Sequence, residues 1–400
     1  MWKSIFICLV RPLIRTGHLF VTFPDGTSAN FGNMSADPVS IRFHDHGAIR
    51  EFCLNPDLAL GEIYMDGRLT ISNDDIRGFL ALTTQNVATM HYMPTNRFWL
   101  SLRKVFRTFQ QYNPIGKAQS NIRHHYDLTD ELYELFLDSD RQYSCAYFTH
   151  PDSTLEDAQC DKKIHIAKKL LLEPDHRILD IGSGWGGMGL TLARDYGCSV
   201  TGVTLSEGQH RISNQRAEDM GISDRARFEL MDYRKVESIF DRIVSVGMFE
   251  HVGTPHYHEF FRHLRRLLKD DGVALLHTIG RMRPPGVTNA WIAKYIFPGG
   301  YIPAMSEVLQ VIEKEGLIVT DIEILRLHYA ETLKHWYQRF TSKMDRAKEL
   351  YDERFCRMWR FYLAGSEMSF RHGGQVVFQF QITKLIDSAP LTRNYLYSLA

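Results

Sequence analysis

The pattern of hydrophobic and polar positions changes along the chain near residue 160. Between about residues 17 and 68, short runs alternate apolar with polar residues and are interrupted by turn sequences at 24–26 and 45–47. This alternation predicts a small β-rich N-terminal domain. A helical pattern begins at 76–82, and a second one at 97–112 combines large aromatic with basic side chains.

After residue 160, apolar runs of strand length alternate with amphipathic helical segments, which predicts βαβ units and a parallel sheet covered by helices on both faces. The predicted strands are 178–181, 199–203, 227–230, 241–246 and 273–279, and the predicted helices between them are 188–196, 207–220 and 256–268. The last part predicts a helix at 306–315, a strand at 317–325, long helices up to 365 and a closing strand at 375–383. A strand that returns after such an excursion predicts an antiparallel edge.

Composition indicates a folded protein of two to three domains, because 400 residues with 44% hydrophobic content can fill that many cores. The 47 basic residues cancel the 47 acidic ones, so net charge gives no reason to expect nucleic acid or an acidic partner. The balance fails locally, because the segment 76–126 contains no acidic residue. Its seven basic residues are Arg77, Arg97, Arg103, Lys104, Arg107, Lys117 and Arg123.

This basic aromatic segment has two interpretations. It resembles a helix that contacts an anionic lipid surface, where each basic residue contributes about 1 kcal/mol. It is equally consistent with an ordinary solvated helix docked on its neighbours. Nucleic-acid binding is disfavoured because no recognised module accompanies the charge.

The cysteines and the N-terminus indicate a cytosolic protein. The six cysteines are scattered, with no CxxC pair and no Cys-His ligand spacing, which argues against a disulfide framework or a structural zinc, and we predict no metal. The apolar run before Arg11 and Pro12 is too short for a secretory signal or a membrane span. The sequence therefore predicts a cytoplasmic location, with surface contact to a membrane left open.

A glycine-rich segment, GSGWGG at 182–187, follows an apolar strand and opens a helix, so its backbone can approach a ligand closely. A dinucleotide enzyme would carry an acidic residue at the end of the second strand. Here that strand ends in the segment 202–206 (GVTLS), and Glu207 belongs to the next helix. An acidic residue inside the first strand, here Asp180, is more typical of nucleoside-binding methyltransferases than of dinucleotide enzymes. A glycine turn without any ligand is the remaining alternative.

Three further residues are candidates for chemistry. Glu250 follows the fourth strand and His277 lies near the end of the fifth, so both belong to the rim where open α/β sheets bind ligands. A single histidine is more often a satisfied core residue, but its place beside the Glu250 turn favours a functional role. Cys145 taken alone is more typical of a small buried apolar residue.

These residues lie in segments by which the chain closely resembles the bacterial cyclopropane-fatty-acyl-phospholipid synthases, relatives of the mycolic acid cyclopropane synthases. The matching segments are 122–127 (IRHHYD), 143–147 (YSCAY), 179–187 (LDIGSGWGG), 202–206 (GVTLS), 245–253 (SVGMFEHVG) and 328–336 (HYAETLKHW). The segment 60–67 (LGEIYMDG) resembles the extra N-terminal domain of the phospholipid-acting branch.

The resemblance implies an α/β fold of the class I S-adenosylmethionine-dependent methyltransferases. This fold is Rossmann-like, with a seven-stranded, mostly parallel sheet and an antiparallel edge strand, and here it would be joined to a small N-terminal α+β domain. The implied domains are a lipid- or membrane-associated domain at 1–95, a basic aromatic linker helix at 96–120 and a catalytic domain at 121–400.

The implied reaction is transfer of a methylene group from S-adenosylmethionine to a cis double bond of an unsaturated phospholipid acyl chain. The carbocation that forms must be protected from water until a proton leaves, and aromatic faces suit such a cation. Family members use bound bicarbonate as the base. By match to the family, the catalytic residues would be Cys145, Glu250, His277, Ile279 and Tyr329, with Gly247 leaving room beside the methyl group.

The resemblance also assigns the residues that bind the cofactor, with Gln209 in place of an acidic ribose ligand. For the methionine end these are Tyr143, Ser144, Gly182, Gly184, Trp185, Gly186 and Gly187, for the ribose Thr204, Ser206 and Gln209, and for the adenine Asp232 and Tyr233. Asp180 is also assigned to the cofactor-binding set.

Several alternatives remain at this point. The same chemistry could end in a methyl-branched or methylene-bearing chain, and a protein of this fold could bind lipid without catalysis. The expected partners are unsaturated phospholipids and the inner face of the cytoplasmic membrane, with a homodimer plausible by similarity.

Overall fold

The structure is a computed structural model that describes residues 1–34, 37–90 and 129–397. The predicted helix at 97–112, the linker 96–120, six of the seven basic residues of segment 76–126 and the motif at 122–127 lie outside the described residues. The predicted domain boundaries near residues 95 and 120 also fall there and stay predictions.

Up to residue 90, helices flank short strands. The elements are α1 Trp2–Leu13, β1 His18–Thr22, β2 Ser28–Gly32, β3 Val39–Phe43, α2 His46–Leu54, α3 Pro56–Met65, β4 Leu69–Ile71 and α4 Ile76–Met90, with a 3₁₀ turn at Ser72–Asp74.

From residue 129 onward, strands and helices alternate. The first elements are α5 Asp130–Glu134, α6 Leu155–Lys169, β5 Arg177–Ile181, α7 Gly187–Tyr196, β6 Ser199–Thr204, α8 Glu207–Asp219, β7 Ala226–Leu230, β8 Phe240–Val246, α9 Tyr257–Leu267 and β9 Leu268–Arg281. The later elements are α10 Ala290–Tyr295, α11 Met305–Lys314, β10 Ile318–Leu325, α12 His328–Ser342, α13 Met344–Leu350, α14 Glu353–Arg371 and β11 Gln375–Thr383. Short 3₁₀ turns occupy Tyr233–Lys235, Phe249–His251, Thr254–His256 and Arg393–Leu396.

These elements form two compact units. The first combines the described part of 1–90 with Val287–Pro298 and Leu333–Gln375, and the second comprises 129–286, Gly299–Thr332 and 376–397. The sequence analysis assigns 287–298 and 333–375 to the region 121–400. Their packing with the N-terminal segment is therefore a finding that the sequence did not indicate.

The first unit contains a four-stranded sheet in the order β2-β1-β3-β4, in which β1 and β3 are parallel and the outer pairs are antiparallel. The prediction of a β-rich segment was wrong between residues 46 and 65, where α2 and α3 form. Asp45 caps α2 by accepting a hydrogen bond from the Ala48 N–H, and Pro56 occupies the first turn of α3, where its missing N–H costs nothing. The α+β class predicted for this part is confirmed.

The core of the first unit depends on large aromatic side chains. The Phe6 ring of α1 lies 5.3 to 6.2 Å from the rings of Phe23, Phe31 and Phe43 on the sheet side. In the same unit, α14 buries the Glu367 carboxylate completely, and Arg77 of α4 satisfies it with two hydrogen bonds of 2.7 and 2.8 Å. A buried carboxylate needs such a bidentate cation to offset its desolvation.

The second unit is built on a seven-stranded sheet in the order β10-β11-β9-β8-β5-β6-β7. The pairs from β9 through β8, β5 and β6 to β7 are parallel, whereas β10 and β11 pair antiparallel. The predicted fold class, a mostly parallel sheet with antiparallel pairing at one edge, is confirmed. The closing strand β11 itself lies one position inside that edge, between β9 and β10.

The central strands of the second unit's sheet are buried on both faces, which explains the apolar runs in β5 and in the second half of β9. Ile178 and Leu179 are neighbours on β5, and they belong to two different hydrophobic clusters because successive side chains point to opposite faces. One cluster includes Phe260 and Phe261 of α9, and the other includes Ile166 of α6. No helix in the described part of the chain combines the length and apolar character needed to cross a bilayer.

The turn from β5 into α7 predicts a sharp difference between two glycine substitutions. A Cβ at Gly186 (φ +84°) would lie 2.8 Å from the Ser213 Cβ and 2.9 Å from the Phe228 ring. A Cβ at Gly184 (φ +55°) would meet nothing within 4 Å. We expect Gly184→Ala to cost roughly 1–2 kcal/mol of unfolding free energy from its backbone conformation alone. Gly186→Ala adds overpacking, and we expect it to cost a further 1–3 kcal/mol or so.

Chemical denaturation of both variants measures this difference. Equal destabilisation would show that close packing under the loop does not constrain residue 186.

Candidate functional site

The glycine loop at 182–187 begins where β5 ends, at the carboxyl edge of the parallel sheet. The N–H groups of Gly182 and Ser183 donate to the Val203 carbonyl of β6, at 3.0 and 3.1 Å, which fixes the loop across two strands. Gly182 has a φ of +81°, and a Cβ there would lie 2.7 Å from the Met248 Cβ. Glycine is therefore required for the chain to turn this closely past its neighbour.

A pocket opens above this loop, at the ends of β5, β6, β7 and β8. All the predicted cofactor residues except Gly186 and Ser206 line this pocket, and so does Gly247 of the predicted catalytic set. The cofactor residues in the lining are Tyr143, Ser144, Asp180, Gly182, Gly184, Trp185, Gly187, Thr204, Gln209, Asp232 and Tyr233. Their convergence on one crevice matches the place where open α/β sheets bind ligands.

Asp180 is the most perturbed carboxyl group in the pocket wall. It is only 2% exposed, and its Oδ2 has no hydrogen-bond partner among the described residues. Burial raises the pKa of Asp180 to about 7, although a backbone hydrogen bond from Gly189 lowers it. A cationic ligand in the pocket would restore its charged form.

The far side of the pocket is polar and internally ordered. The Thr204 hydroxyl donates to the Gln209 Oε1 at 2.9 Å, so the amide nitrogen of Gln209 remains available as a donor. Ser206 lies outside the lining and caps α8 by accepting from the Gln209 N–H at 3.4 Å. The Arg234 guanidinium donates two hydrogen bonds, of 2.9 and 2.6 Å, to the Asp232 carboxylate. Burial alone would raise the pKa of Asp232, but the Arg234 hydrogen bonds outweigh it and lower the pKa.

The near wall of the pocket is held by two residues that sequence reasoning missed. Lys162 of α6 is completely buried, and its Nζ donates to the Gln142 Oε1 at 2.7 Å and to the Ser144 Oγ at 2.8 Å. The Gln159 amide donates to the backbone carbonyls of Gln142 and Ser144 at 3.2 and 3.0 Å. Burial lowers the pKa of Lys162 to about 8.

A signal for these residues exists in the sequence. Gln159 and Lys162 interrupt an apolar stripe with helical spacing that includes Leu155 and Ile166. Polar side chains on the buried face of a helix need buried partners. The sequence could therefore have indicated that α6 supports a polar site, although not which residues it holds.

Asp140 is a third missed residue. Its carboxylate accepts from Lys163 at 2.6 Å, from the Gln142 amide at 3.0 Å and from Arg216. Burial would raise the pKa of Asp140, but the charges of Lys163 and Arg216 outweigh it and lower the pKa. A Cβ at Gly187 would lie 2.6 Å from the Asp140 Oδ2. This glycine therefore serves the packing of the ion cluster as well as the loop.

Among the predicted catalytic residues, Glu250 has the most unusual environment. It lies in the short turn after β8, and its Oε1 accepts from the Ile279 N–H of β9 at 2.6 Å. Its Oε2 is buried with no hydrogen-bond partner among the described residues. Burial raises the pKa of Glu250 to about 7, so the group is partly protonated at neutral pH. Such a carboxyl can donate as well as accept.

His277 and Gly247 meet beside Glu250. The Gly247 N–H donates to the His277 carbonyl at 2.9 Å, which aligns the ends of β8 and β9. The His277 Nδ1 lies 3.1 Å from the Gln379 Nε2 of β11. An amide nitrogen can only donate, so Nδ1 accepts and the ring carries its proton on Nε2. Burial, together with the positive charge of Lys162, lowers the pKa of His277 well below its ordinary value.

Cys145 and Tyr329 come from more distant parts of the sequence. The Cys145 thiol is 1% exposed, and burial raises its pKa, so it is not a thiolate at neutral pH. The next residue, Ala146, donates its N–H at 3.0 Å to the hydroxyl of Thr332, one turn after Tyr329 on α12. Tyr329 is 8% exposed. This hydrogen bond links the segments that contain Cys145 and Tyr329.

The geometry therefore contains two adjacent parts. The pocket presents polar groups for an elongated ligand, and beside it a buried rim holds a partly protonated carboxyl and a neutral imidazole. Gly247 belongs to both, because it lines the pocket and bonds to His277. A Cβ at Gly247 would approach only the Ser144 Cβ, at 4.0 Å, so space is left between the two parts.

Comparison with known families identifies both parts of the chain. The sequence model described as "Mycolic acid cyclopropane synthetase" matches residues 115–380, and a domain of unknown function (DUF7884) matches residues 14–92.

Similar proteins carry related names. The chain is 36% identical over 336 residues to the cyclopropane-fatty-acyl-phospholipid synthase of Escherichia coli K12, covering 84% of this chain and 85% of that protein. It is 33% identical over 380 residues to a tuberculostearic acid methyltransferase of Mycobacterium tuberculosis, covering 92% of this chain and 88% of that protein.

A solved structure also aligns with the fold. The crystal structure of the mycolic acid cyclopropane synthase CmaA1, complexed with SAH and CTAB, aligns with a TM-score of 0.63 at 34% identity, covering 68% of this chain and 99% of that one. The chain therefore belongs to the mycolic acid cyclopropane synthetase family, and it is an enzyme of the S-adenosylmethionine-dependent methyltransferase class.

Proposed function

We propose that this protein transfers a methylene group from S-adenosylmethionine to a cis double bond of unsaturated phospholipid acyl chains and so forms cyclopropane fatty acids. The observation that supports the proposal most directly is that the pocket at the 182–187 loop adjoins the buried rim that contains Glu250 and His277. The name of the E. coli relative, which the chain matches over more than four fifths of both lengths, supports the phospholipid substrate.

The pocket fits S-adenosylmethionine. The loop at 182–187 is a backbone cradle that a Cβ at Gly182 would fill, and Asp180 presents a buried oxygen without a partner among the described residues. That oxygen suits the positively charged methionine end, with Tyr143 and Ser144 beside it. Thr204 and Gln209 would bind the ribose, and Asp232 and Tyr233 the adenine. The SAH-bound relative, at 34% identity, supports this assignment.

The rim fits a small oxyanion, which we propose is bicarbonate. The Glu250 Oε2 is buried without a hydrogen-bond partner among the described residues. The raised pKa of the Glu250 carboxyl lets this group donate a hydrogen bond to an anion. His277 is neutral and carries a proton on Nε2. The Ile279 N–H is already used by Glu250, so Ile279 would act by orienting that carboxyl. Cys145 would contribute backbone groups, since its thiol is protonated.

S-adenosylmethionine supplies an electrophilic methyl group, and bicarbonate supplies a base for the proton that leaves before the ring closes. The atoms balance: the alkene gains CH2, and S-adenosylhomocysteine and one proton are released. Glu250 and His277 would hold the base beside the new methyl group, with Gly247 leaving room. Tyr329 would place an electron-rich ring near the cationic carbon, and burial of the rim would exclude water.

We further propose that the enzyme works on the cytoplasmic membrane surface as a peripheral protein. The absence of acidic residues from 76–126, beside seven basic ones, supports attraction to anionic lipid. A homodimer is compatible with this arrangement and is proposed from similarity alone.

The alternative product is a methyl-branched or methylene-bearing chain. The M. tuberculosis relative, named for tuberculostearic acid, favours it because this relative aligns over 92% of the chain. The same pocket and rim would serve the ring and the methylene-bearing products, since both form when the cation loses a proton and differ in the bond that then closes. A saturated methyl branch would also need a hydride donor to reduce the methylene product.

Incubating the purified chain with unsaturated phospholipid vesicles, labelled S-adenosylmethionine and bicarbonate tests the proposal. We expect label in the lipid, one S-adenosylhomocysteine per labelled chain, and a product heavier by one CH2 that resists hydrogenation. Vesicles of saturated phospholipid are the control and should remain unlabelled. A product that takes up hydrogen would instead indicate a methylene-bearing chain. Lipid binding without S-adenosylhomocysteine would indicate a binding protein that is not an enzyme.

Removing the Glu250 side chain should affect the chemical step. We expect Glu250→Ala to lower the turnover rate on the order of 10²-fold or more while leaving cofactor affinity near normal, because Glu250 lies outside the cofactor pocket. Steady-state kinetics and calorimetric binding of S-adenosylhomocysteine measure the two effects. Glu313→Ala, an exposed change on α11, is the matched control. Parallel loss of cofactor binding would remove Glu250 from this role.

Removing Lys162 should affect the cofactor pocket instead. Lys162→Met leaves the acceptors on Gln142 and Ser144 without their donor, at roughly 1–3 kcal/mol for each unsatisfied group. We expect affinity for S-adenosylhomocysteine to fall about tenfold or more, since a tenfold loss corresponds to about 1.4 kcal/mol. Calorimetry compares it with Lys168→Met, a half-buried lysine of the same helix. An unchanged affinity for S-adenosylhomocysteine would show that cofactor binding does not depend on the hydrogen bonds from Lys162 to the pocket wall.

A further inference from the structure

Three aromatic rings stack beside the segments that contain Cys145 and Tyr329. The ring of Tyr147 lies between two imidazoles, 4.1 Å from the His165 ring at an interplanar angle of 9° and 4.9 Å from the His328 ring at 4°. Tyr147 follows Cys145 by two residues, and His328 immediately precedes Tyr329. The stack therefore packs together the two segments that contain Cys145 and Tyr329.

Two hydrogen bonds join the same segments. The Phe148 N–H donates to the His328 Nδ1 at 3.0 Å, and the Ala146 N–H donates to the Thr332 Oγ1 at 3.0 Å. Both acceptors lie in the first turns of α12, His328–Ser342. A backbone N–H can only donate, so the His328 Nδ1 must be unprotonated for its bond to exist.

We propose that His328 is a positioning residue: its neutral imidazole, through the Phe148 N–H and the Tyr147 ring, holds the segment 145–148 against the start of α12 in the arrangement that catalysis requires. The proposal rests on the proposed function, because it assigns His328 a role in placing Cys145 and Tyr329. Protonation of His328 removes the acceptor, releases the Phe148 N–H and loosens this contact.

The charged groups around the stack decide how it responds to pH. His165 bonds to the Glu323 carboxylate of β10 at 2.5 Å, and Lys169 of α6 pairs with the same carboxylate. Burial opposes ionisation of Glu323, but the His165 hydrogen bond and the Lys169 charge lower its pKa to about 2, so Glu323 stays negative. The other charged or titratable groups that act on the stack are Asp161, Arg326, Arg393 and Tyr397, and Asp321 lies 3.8 Å from Lys169.

Among these effects burial dominates at His328 and lowers its pKa, and Arg326 and a protonated His165 act in the same direction, against Glu323. A histidine whose pKa is lowered by folding loses its neutral form only as the pH falls below its ordinary range. The contact is therefore intact at neutral pH and is lost on acidification.

The test compares His328→Asn with His328→Leu in the full chain. The asparagine Oδ1 can accept the Phe148 N–H at any pH, whereas leucine cannot accept it at all. We measure S-adenosylhomocysteine formation with unsaturated phospholipid vesicles against pH. We also measure hydrogen exchange of segment 143–150 without substrate, corrected for the intrinsic effect of pH. His150→Asn, an exposed change at the last residue of this segment, is the matched control.

In the unsubstituted protein we expect both the rate and the exchange protection to fall together on acidification. His328→Asn should retain most of the neutral-pH rate and lose this acid limb, because its acceptor does not titrate. His328→Leu should be at least about tenfold slower and unprotected at all pH values, as expected for a loss of about 1.4 kcal/mol or more. His150→Asn should behave as the unsubstituted protein does.

An acid limb that is unchanged in His328→Asn, or normal protection of 143–150 in His328→Leu, overturns the positioning role. Failure of the proposed function gives a different result: no S-adenosylhomocysteine forms at any pH in any variant, while the exchange differences still report whether His328 holds the segment.

Discussion

Burial of two carboxyl groups at the carboxyl edge of a parallel sheet is the constraint on which the rest of this site depends. Asp180 and Glu250 each leave one oxygen without a partner among the described residues, and burial raises the pKa of both to about 7. An unpaired buried carboxylate is costly, so the folded chain keeps these groups partly protonated. Each is then able to respond to a charged ligand: Asp180 to a cation in the pocket, and Glu250 to an anion at the rim.

The fold provides this environment through backbone geometry and buried ion pairs. Because Gly182 has no side chain, the glycine loop can pass close to Met248. At the end of β9, the Ile279 N–H donates to the Glu250 carboxyl and holds it in place. On the opposite wall, Lys162 and Asp140 belong to hydrogen-bonded clusters that fix Gln142 and Ser144. Burial, together with the positive charge of Lys162, keeps His277 neutral. These side chains are therefore oriented before any ligand binds, which electrostatic catalysis would require.

Much of the second unit could be predicted because its signals are local. Apolar strands followed by glycine turns gave the order of elements, and the 182–187 loop located the pocket. The β-rich prediction for 46–65 was wrong because capping by Asp45 and a proline at the first turn of α3 outweighed the alternating pattern. The position of β11 inside the sheet edge depends on long-range pairing, for which the sequence has no local signal.

The supporting residues of the site could not be predicted for a related reason. Lys162 is one of several lysines in α6, and only the packing of that helix distinguishes its completely buried ammonium from the half-buried Lys168. The partners Gln379 and Thr332 lie roughly a hundred or more residues from His277 and Ala146. The resemblance implied which residues would face the ligands, whereas the structure adds the contacts that give those residues their charge state.

The central claim is that burial keeps the Glu250 carboxyl partly protonated at neutral pH, so that it can hold an anion at the rim. Infrared difference spectroscopy of the unsubstituted protein against Glu250→Gln, titrated from about pH 4 to about pH 9, measures this directly through the C=O stretch of the protonated acid. We predict that this band is present at neutral pH and disappears with a midpoint of about 7. A band already lost near the ordinary glutamate value of 4.5 would contradict the account.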